Sequence, residues 1–140
     1  MRTATQLAPV INASNRDIEN WVGRLDLSTP YEQPERGLPR MYSKANAFEL
    51  GMIAALVRGG ALPSHATTVA ARFAQDGQRN WRHSAFRDWL VFRANDCSSG
   101  VHTDKIDSSS KMIKDLDSIT FSVVYVRKLI DGIDELYKGD

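Results

Sequence analysis

The chain of 140 residues has one cysteine, Cys97, and three histidines. A single thiol excludes an intrachain disulfide and a multi-thiolate zinc site. His65, His83 and His102 are far apart in sequence, with no His-x-x-x-His or Glu-x-x-His spacing, so no metal centre is expected. Neither sign of charge is in large excess. Eighteen basic and seventeen acidic side chains leave a formal +1, unlike a histone-type binder, so any grip on nucleic acid must come from local placement of Arg and Lys. Long apolar runs are missing too. The longest, Gly51 to Val57, is far below the ~20 residues of a membrane span. The leading residues lack the charged-then-apolar pattern of a secretion signal, and no repeat or low-complexity tract is present. A cytoplasmic, nucleoid-associated protein is expected, with no membrane partner.

Catalytic motifs are equally scarce. There is no Gly-x-x-x-x-Gly-Lys-Ser/Thr and no Gly-x-Ser-x-Gly, which removes the usual phosphate-cradling loop and nucleophile elbow. Cys97 lies in a Ser/Gly stretch without a neighbouring histidine to activate it. Asp104, Asp107, Asp115 and Asp117 are set among serines and lysines, the composition of a solvated face. No catalytic residue, cofactor or metal is assigned, and an enzyme is not expected.

What is present is enough apolar content, 42%, against 25% charged, to bury a core in one domain or in a small domain with an appendage. The organising stretch is Asn12 to Trp21. Thr3 and Gln6 form a capping box ahead of Ala4, Leu7, Ala8 and Ile11, which recur at helical spacing and predict a first helix over Ala4–Ile11. Pro9 should bend it, and Asn12 ends it as a residue tolerant of left-handed backbone. Ser14 caps a second helix, with Asp17 placed to reach back. Ile18, Trp21 and Val22 take one side and Asn15, Arg16, Glu19 and Asn20 the other. Two short helices joined this tightly are a helix-turn-helix.

Pro30, Pro34, Gly37 and Pro39 then forbid a long helix. Tyr31-Glu32-Gln33 and Arg40-Met41-Tyr42 read as the two arms of a hairpin wing with Glu35-Arg36-Gly37 at its tip. Arg36 and Arg40 would then project from it, placed to suit a phosphate backbone or minor groove, the alternative being a solvated, proline-rich loop whose charge is incidental. Ser43 caps a third helix, Lys44–Arg58, with Ala47, Leu50, Ile53, Leu56 and Val57 inward, stopped by Gly59-Gly60. A fourth helix, about Ser64–Gln75, turns Ala66, Val69, Ala70 and Phe73 inward, and Asp76-Gly77 marks a domain boundary. Beyond it, strands are expected within Arg87–Ala94, weakly at Val101–Ile106, and at Ile119–Val126. Turns are expected at Cys97–Gly100 and Ser108–Ser110. Val126, Leu129, Ile130, Ile133, Leu136 and Tyr137 predict a terminal helix.

The order helix, turn, helix, wing, helix, helix over Thr3 to about Phe73 resembles the winged helix-turn-helix domain of the MerR family. Thr3 and Gln6 stand where that family opens its first helix, and Leu7-Ala8 matches its usual Leu-Ala. Ser14 matches the start of its recognition helix, Ile18 the buried residue within it, and Trp21 the aromatic pair that follows. Gly37 with Arg40-Met41-Tyr42-Ser43 looks like the wing's Gly-x-Arg-x-Tyr-Ser. Leu50, Ile53 and Leu56 fall on the next helix, and Gly60 on the glycine that ends it. Asn12 stands in place of the turn glycine, and Glu19 and Asn20 where the family often has Arg and an aromatic.

The resemblance implies an α+β protein. Residues 1–75 would form a winged helix-turn-helix of four short helices and a hairpin wing. Residues 76–140 do not look like that family's regulators; their own pattern reads as a small antiparallel sheet with a C-terminal helix, which either covers that sheet or pairs with another copy, the homodimer being the expectation. The resemblance also implies sequence-specific binding of double-stranded DNA by a small bacterial or phage transcriptional regulator. Asn15, Arg16, Glu19 and Asn20 would reach bases or nearby phosphates, Arg36, Arg40 and Tyr42 would hold the wing on the backbone, and Arg24 and Lys44 would join the basic cluster. The first rival is a phage DNA-packaging small subunit or excisionase-type DNA-handling protein. The second is an interaction adaptor that no longer touches DNA, a reading favoured by Glu19 at the centre of the proposed face.

Overall fold

The computed structural model describes residues 1–106 and 120–140. The expected turn at Ser108–Ser110, the acids Asp107, Asp115 and Asp117, and the start of the strand expected from Ile119 lie outside the described residues. Those described fold as α+β, with five α-helices, one 3₁₀ turn at Trp81–His83, and two small antiparallel sheets.

Helix α1 spans Ala4–Ile11 and α2 spans Asn15–Arg24. Both halves of the Thr3/Gln6 capping box form, and α1 runs through Pro9 before Asn12 closes it in left-handed backbone, φ 58°. Ser14 caps α2 by accepting from the Asp17 amide. The reciprocal bond expected from the Asp17 side chain is not among those observed.

The hairpin wing expected from Tyr31–Gln33 and Arg40–Tyr42 does not form as two paired arms. Strand β1 is Arg2–Thr3, and β2, Met41–Tyr42, pairs with it instead, Arg2 opposite Tyr42 and Thr3 opposite Met41. Pro30 and Pro34 flank the first arm and offer no ladder donors, whereas the residues before α1 do. Only the tip turn stands, where the Leu38 amide donates to the Glu35 carbonyl at 3.0 Å across Gly37, φ 85°.

Helix α3, Lys44–Arg58, is the hub. From Asn46 to Ala54 every residue is buried, so the helix is enclosed rather than striped on one side. Helix α4, Pro63–Gly77, opens with proline in its first turn, where no amide partner is lost. It runs through Asp76-Gly77, so the chain break expected there falls inside its last turn. Phe48, Phe73, Trp81 and Phe86 then meet mainly edge to face with centroids 5.0–5.6 Å apart, joining α3 and α4 to the turn that follows.

The second sheet has strand order β4-β3-β5, with β3 at Trp89–Arg93, β4 at Asp96–Thr103 and β5 at Ser122–Tyr125. The turn expected at Cys97–Gly100 is strand. The reversal is Ala94-Asn95, a two-residue hairpin loop. Gly100 is required within β4 by close approach, since a β-carbon there would sit 2.8 Å from Leu90 Cδ1 and 3.1 Å from the Val91 carbonyl.

Helix α5, Val126–Leu136, buries Val126, Ile130 and Ile133 against α1 and α3. Gly51 makes room for this. A β-carbon there would lie 3.0 Å from Leu129 Cδ1, 3.2 Å from Ile11 Cγ2 and 3.3 Å from Ile133 Cδ1. The buried cluster is continuous from Leu7 to Tyr137, so the core does not divide at the expected boundary. No helix among the described residues is long and apolar enough to cross a membrane.

Candidate nucleic-acid interface

The turn between α1 and α2 is held from both ends. The Ala13 amide reaches the Ala8 carbonyl at 3.1 Å. Arg58, at the end of α3, donates from Nε to the Asn12 carbonyl at 2.8 Å and from Nη2 to Asn12 Oδ1 at 2.9 Å. This clamp sets how α2 leaves α1, and sequence reasoning missed it. The one available hint was a left-handed asparagine whose side chain and carbonyl both need donors. On α2, Ile18 and Trp21 enter the core, which turns Asn15, Arg16, Glu19, Asn20 and Arg24 outward, all exposed.

These residues are not equivalent. Asn15 donates to Thr5 Oγ1 at 3.2 Å, and Glu19 accepts from the Tyr42 hydroxyl at 3.0 Å. Both are engaged inside the fold. Arg16, Asn20 and Arg24 carry no side-chain hydrogen bond or ion pair among the described residues. They follow at i, i+4 and i+8, a single row along the helix.

Tyr42 needs correction as a wing contact. Its residue is completely buried, because β2 pairs with β1 over the core rather than standing free. Burial pushes its hydroxyl well above the ordinary tyrosine range, and Glu19 pushes the same way against the opposing charge of Arg40. The hydroxyl therefore keeps its proton and donates to Glu19. Arg40 itself is half-buried, and its Nε is buried with no partner among the described residues. Arg36 is exposed on the Glu35–Leu38 turn. Lys44 pairs with Asp134 of α5 at 2.8 Å, so its charge is offset locally, unlike that of Arg16 or Arg24.

Behind the interface, Glu49 of α3 is fully buried yet saturated. It accepts from the Ser28 amide and hydroxyl, both at 2.7 Å, from the Thr29 amide and hydroxyl at 3.2 and 2.6 Å, and from Tyr31 at 2.9 Å. Burial alone would raise its carboxyl, but these donors outweigh burial and hold it below the usual range. Asn46 adds bonds to Thr29 Oγ1 and the Pro30 carbonyl. The loop between α2 and β2 is thus pinned at its base while its tip stays open.

Elsewhere, Cys97 is buried, donates to the His65 carbonyl at 3.4 Å, and is pushed up by burial. Those are the properties of an inert thiol. Among the described residues no group of three or more His, Cys, Asp or Glu is placed to hold a metal ion. No family model, no curated protein and no solved structure matches the chain.

Proposed function

We propose that this protein binds double-stranded DNA with α2 as its reading helix, in the manner the winged helix-turn-helix resemblance implies. The observation that carries the reading is the row Arg16, Asn20 and Arg24, exposed at i+4 spacing on α2 with no intramolecular partner among the described residues. Unpaired guanidinium groups on one helix face suit phosphate and guanine contacts. Asn15 and Glu19 act here as positioning residues, and Tyr42 braces α2 from behind through Glu19. Arg36, on its turn, and Arg40 extend the basic edge along the loop, with Lys44 a minor contributor.

Sequence-specific regulation of transcription in a bacterial or phage cytoplasm is the role that fits such a module, with no catalytic step. The adaptor reading leaned on Glu19 in the reading face. Its bond to Tyr42 gives that carboxylate an occupation within the fold. No particular observation favours the packaging or excisionase alternative. A homodimer through residues 76–140 stays in the proposal. Because α5 spends its apolar stripe on α1 and α3, its surface would be the exposed row Phe121, Val123 and Tyr125 beside and along β5, and Val123→Glu should then leave a monomer in sedimentation.

The direct test is fluorescence anisotropy with genomic duplex fragments at about 50 and 200 mM salt, the range over which several phosphate contacts change affinity by orders of magnitude. Binding that falls steeply with salt, and is weakened by Arg16→Ala and Arg24→Ala, is the expected result. A folded protein that shifts no fragment at low salt would end the DNA reading.

A further inference from the structure

A second cleft lies away from the α2 row, between the Ser28–Pro30 segment and the outer side of α4. Its volume is about 760 Å³, and no Asp or Glu lines it. Arg72 and Gln75 line it from α4 at i and i+3, on one face of the helix, and Arg79 lines it from the bend just beyond the helix end at Gly77. Gln78 stands beside them. All four are exposed, and neither guanidinium makes an ion pair or a hydrogen bond among the described residues. The charge of Arg72 reaches far enough to help hold His102 below the ordinary imidazole range, after burial and together with Arg87.

The opposite wall is rigid. Ser28 and Thr29 give both their amides and both their hydroxyl protons to Glu49, and Asn46 holds the Pro30 carbonyl at 3.0 Å. Their hydroxyls are therefore committed, and the donors left for a guest are the two guanidinium forks, the Gln75 amide and the second proton of the Gln78 amide, whose Nε2 also donates to the Ala74 carbonyl at 3.4 Å. The two guanidinium groups reach the cleft from different segments, Arg72 from α4 and Arg79 from the bend that follows it. Two separate forks on a cleft of about 760 Å³ match a guest carrying more than one negative group better than a single small anion. Arginine's planar set of donors pairs with phosphoryl oxygens in bidentate fashion.

We propose that this cleft binds a ligand carrying more than one phosphoryl group, held by Arg72 and Arg79 with Gln75 and Gln78 assisting. A phosphodiester strand and a free polyphosphate share that chemistry. The site does not depend on the α2 reading being correct.

The test uses the full chain with three probes followed by calorimetry or anisotropy: inorganic tripolyphosphate, a short oligothymidylate, and a random-sequence duplex. A polyglutamate peptide serves as the non-phosphate polyanion. At least one phosphorylated probe should bind at low salt and polyglutamate should bind more weakly. Arg72→Ala combined with Arg79→Ala should weaken the bound probe tenfold or more. If that probe is the duplex, the slope of log affinity against log salt should fall by about two, one per lost phosphate contact. Lys105→Ala combined with Lys138→Ala removes the same net charge elsewhere and should leave affinity unchanged. Circular dichroism checks that each variant is folded.

Tripolyphosphate or oligothymidylate binding without duplex binding supports the cleft and counts against the α2 reading. If the Arg72/Arg79 variant leaves every bound probe untouched, the cleft is overturned, and α2 is spared where the duplex is among those bound. Failure of all three phosphorylated probes, or polyglutamate binding as tightly as they do, overturns the cleft outright.

Discussion

The Tyr137 hydroxyl donates to the backbone carbonyl of Tyr42 at 2.9 Å, across 95 residues of chain. It ties the last turn of α5 to β2, directly behind the residue whose own hydroxyl braces α2 through Glu19. Around the same seam, Arg2 Nε donates to the Leu136 carbonyl at 2.9 Å, and Asp140 meets both Arg2 and the terminal amine. The end of the chain is thus part of the scaffold on which the candidate interface rests.

Tyr137→Phe should therefore destabilise the protein by about 1–2 kcal/mol, the range for losing one buried hydrogen bond, read as a lower midpoint in urea. Burial pushes the Tyr137 hydroxyl up to about 12 from an ordinary 10.0. Its contribution is complete below the unfolded value and is lost as pH rises from there through the folded one. The wild type should lose stability over that alkaline window, and the phenylalanine variant should lose less.

Residues 1–75 alone should not reproduce the native unit. Without α5, Ile11, Gly51 and Val10 lose the side chains that cover them, Leu129 and Ile133 among them. The amide spectrum of that fragment should be poorly dispersed, or its unfolding midpoint well below that of the full chain. A fragment as stable as the whole would restore an independent N-terminal domain.

Glu49→Gln should cost roughly 3 kcal/mol, since hydrogen bonds to a buried charged acceptor are worth more than neutral ones and a carboxamide cannot accept from all five donors. The Glu49 carboxyl is held below its unfolded value, so its stabilisation is present above that value and disappears as pH falls through the folded one. Urea unfolding at neutral pH and at pH values below 4.5, the ordinary carboxyl value, should show the wild type losing more stability on acidification than the glutamine variant.

Two glycines should respond in opposite ways. Gly59 ends α3 against the sheet, where a β-carbon would collide with the Phe92 ring and come within 3.0 Å of Ser122 Cβ. Gly59→Ala should destabilise by about 1–3 kcal/mol, as overpacking does. Gly23, within α2, has nothing within 4 Å of the same position, and Gly23→Ala should stabilise by about 0.5–1 kcal/mol through helix propensity. Thermal melts of the pair check both signs.

Native Cys97 should resist alkylation. Its thiol is buried, bonded to the His65 carbonyl and raised by burial. Labelling should run at the rate of opening and quicken sharply in denaturant. Rapid labelling of the native protein would contradict the strand placement of residues 96–103.

The helices were the most legible part of the chain. Thr3/Gln6, Ser14 and Ser43 announce three starts within a residue of where they occur, because a cap is a contact between residues three apart and needs no tertiary partner. The exposed row on α2 was readable for the same reason, since Ile18 and Trp21 fix which side faces in. The wing was misread because alternation and turn residues do not say which strand supplies the partner, and prolines had already disqualified the nearer arm. Cys97-Ser98-Ser99-Gly100 carried turn composition, yet Gly100 is there for the approach of Leu90 and Val91, a reason visible only with β3 in place.

Local chemistry along the chain determined α1 through α4, the terminal amphipathic helix, and the set of polar residues that α2 turns away from its own core. Those depend on periodicity, capping and backbone restriction, all of which act over a few residues. Tertiary structure alone decided that α5 closes the N-terminal core rather than being left over for a partner. It also decided that Glu19 and Lys44 are engaged while Arg16 and Arg24 are not, and that Arg72 and Arg79 share a cleft with Ser28. Each of these is a meeting of side chains tens of residues apart, and pairing at that range is set by which surfaces fit together in space.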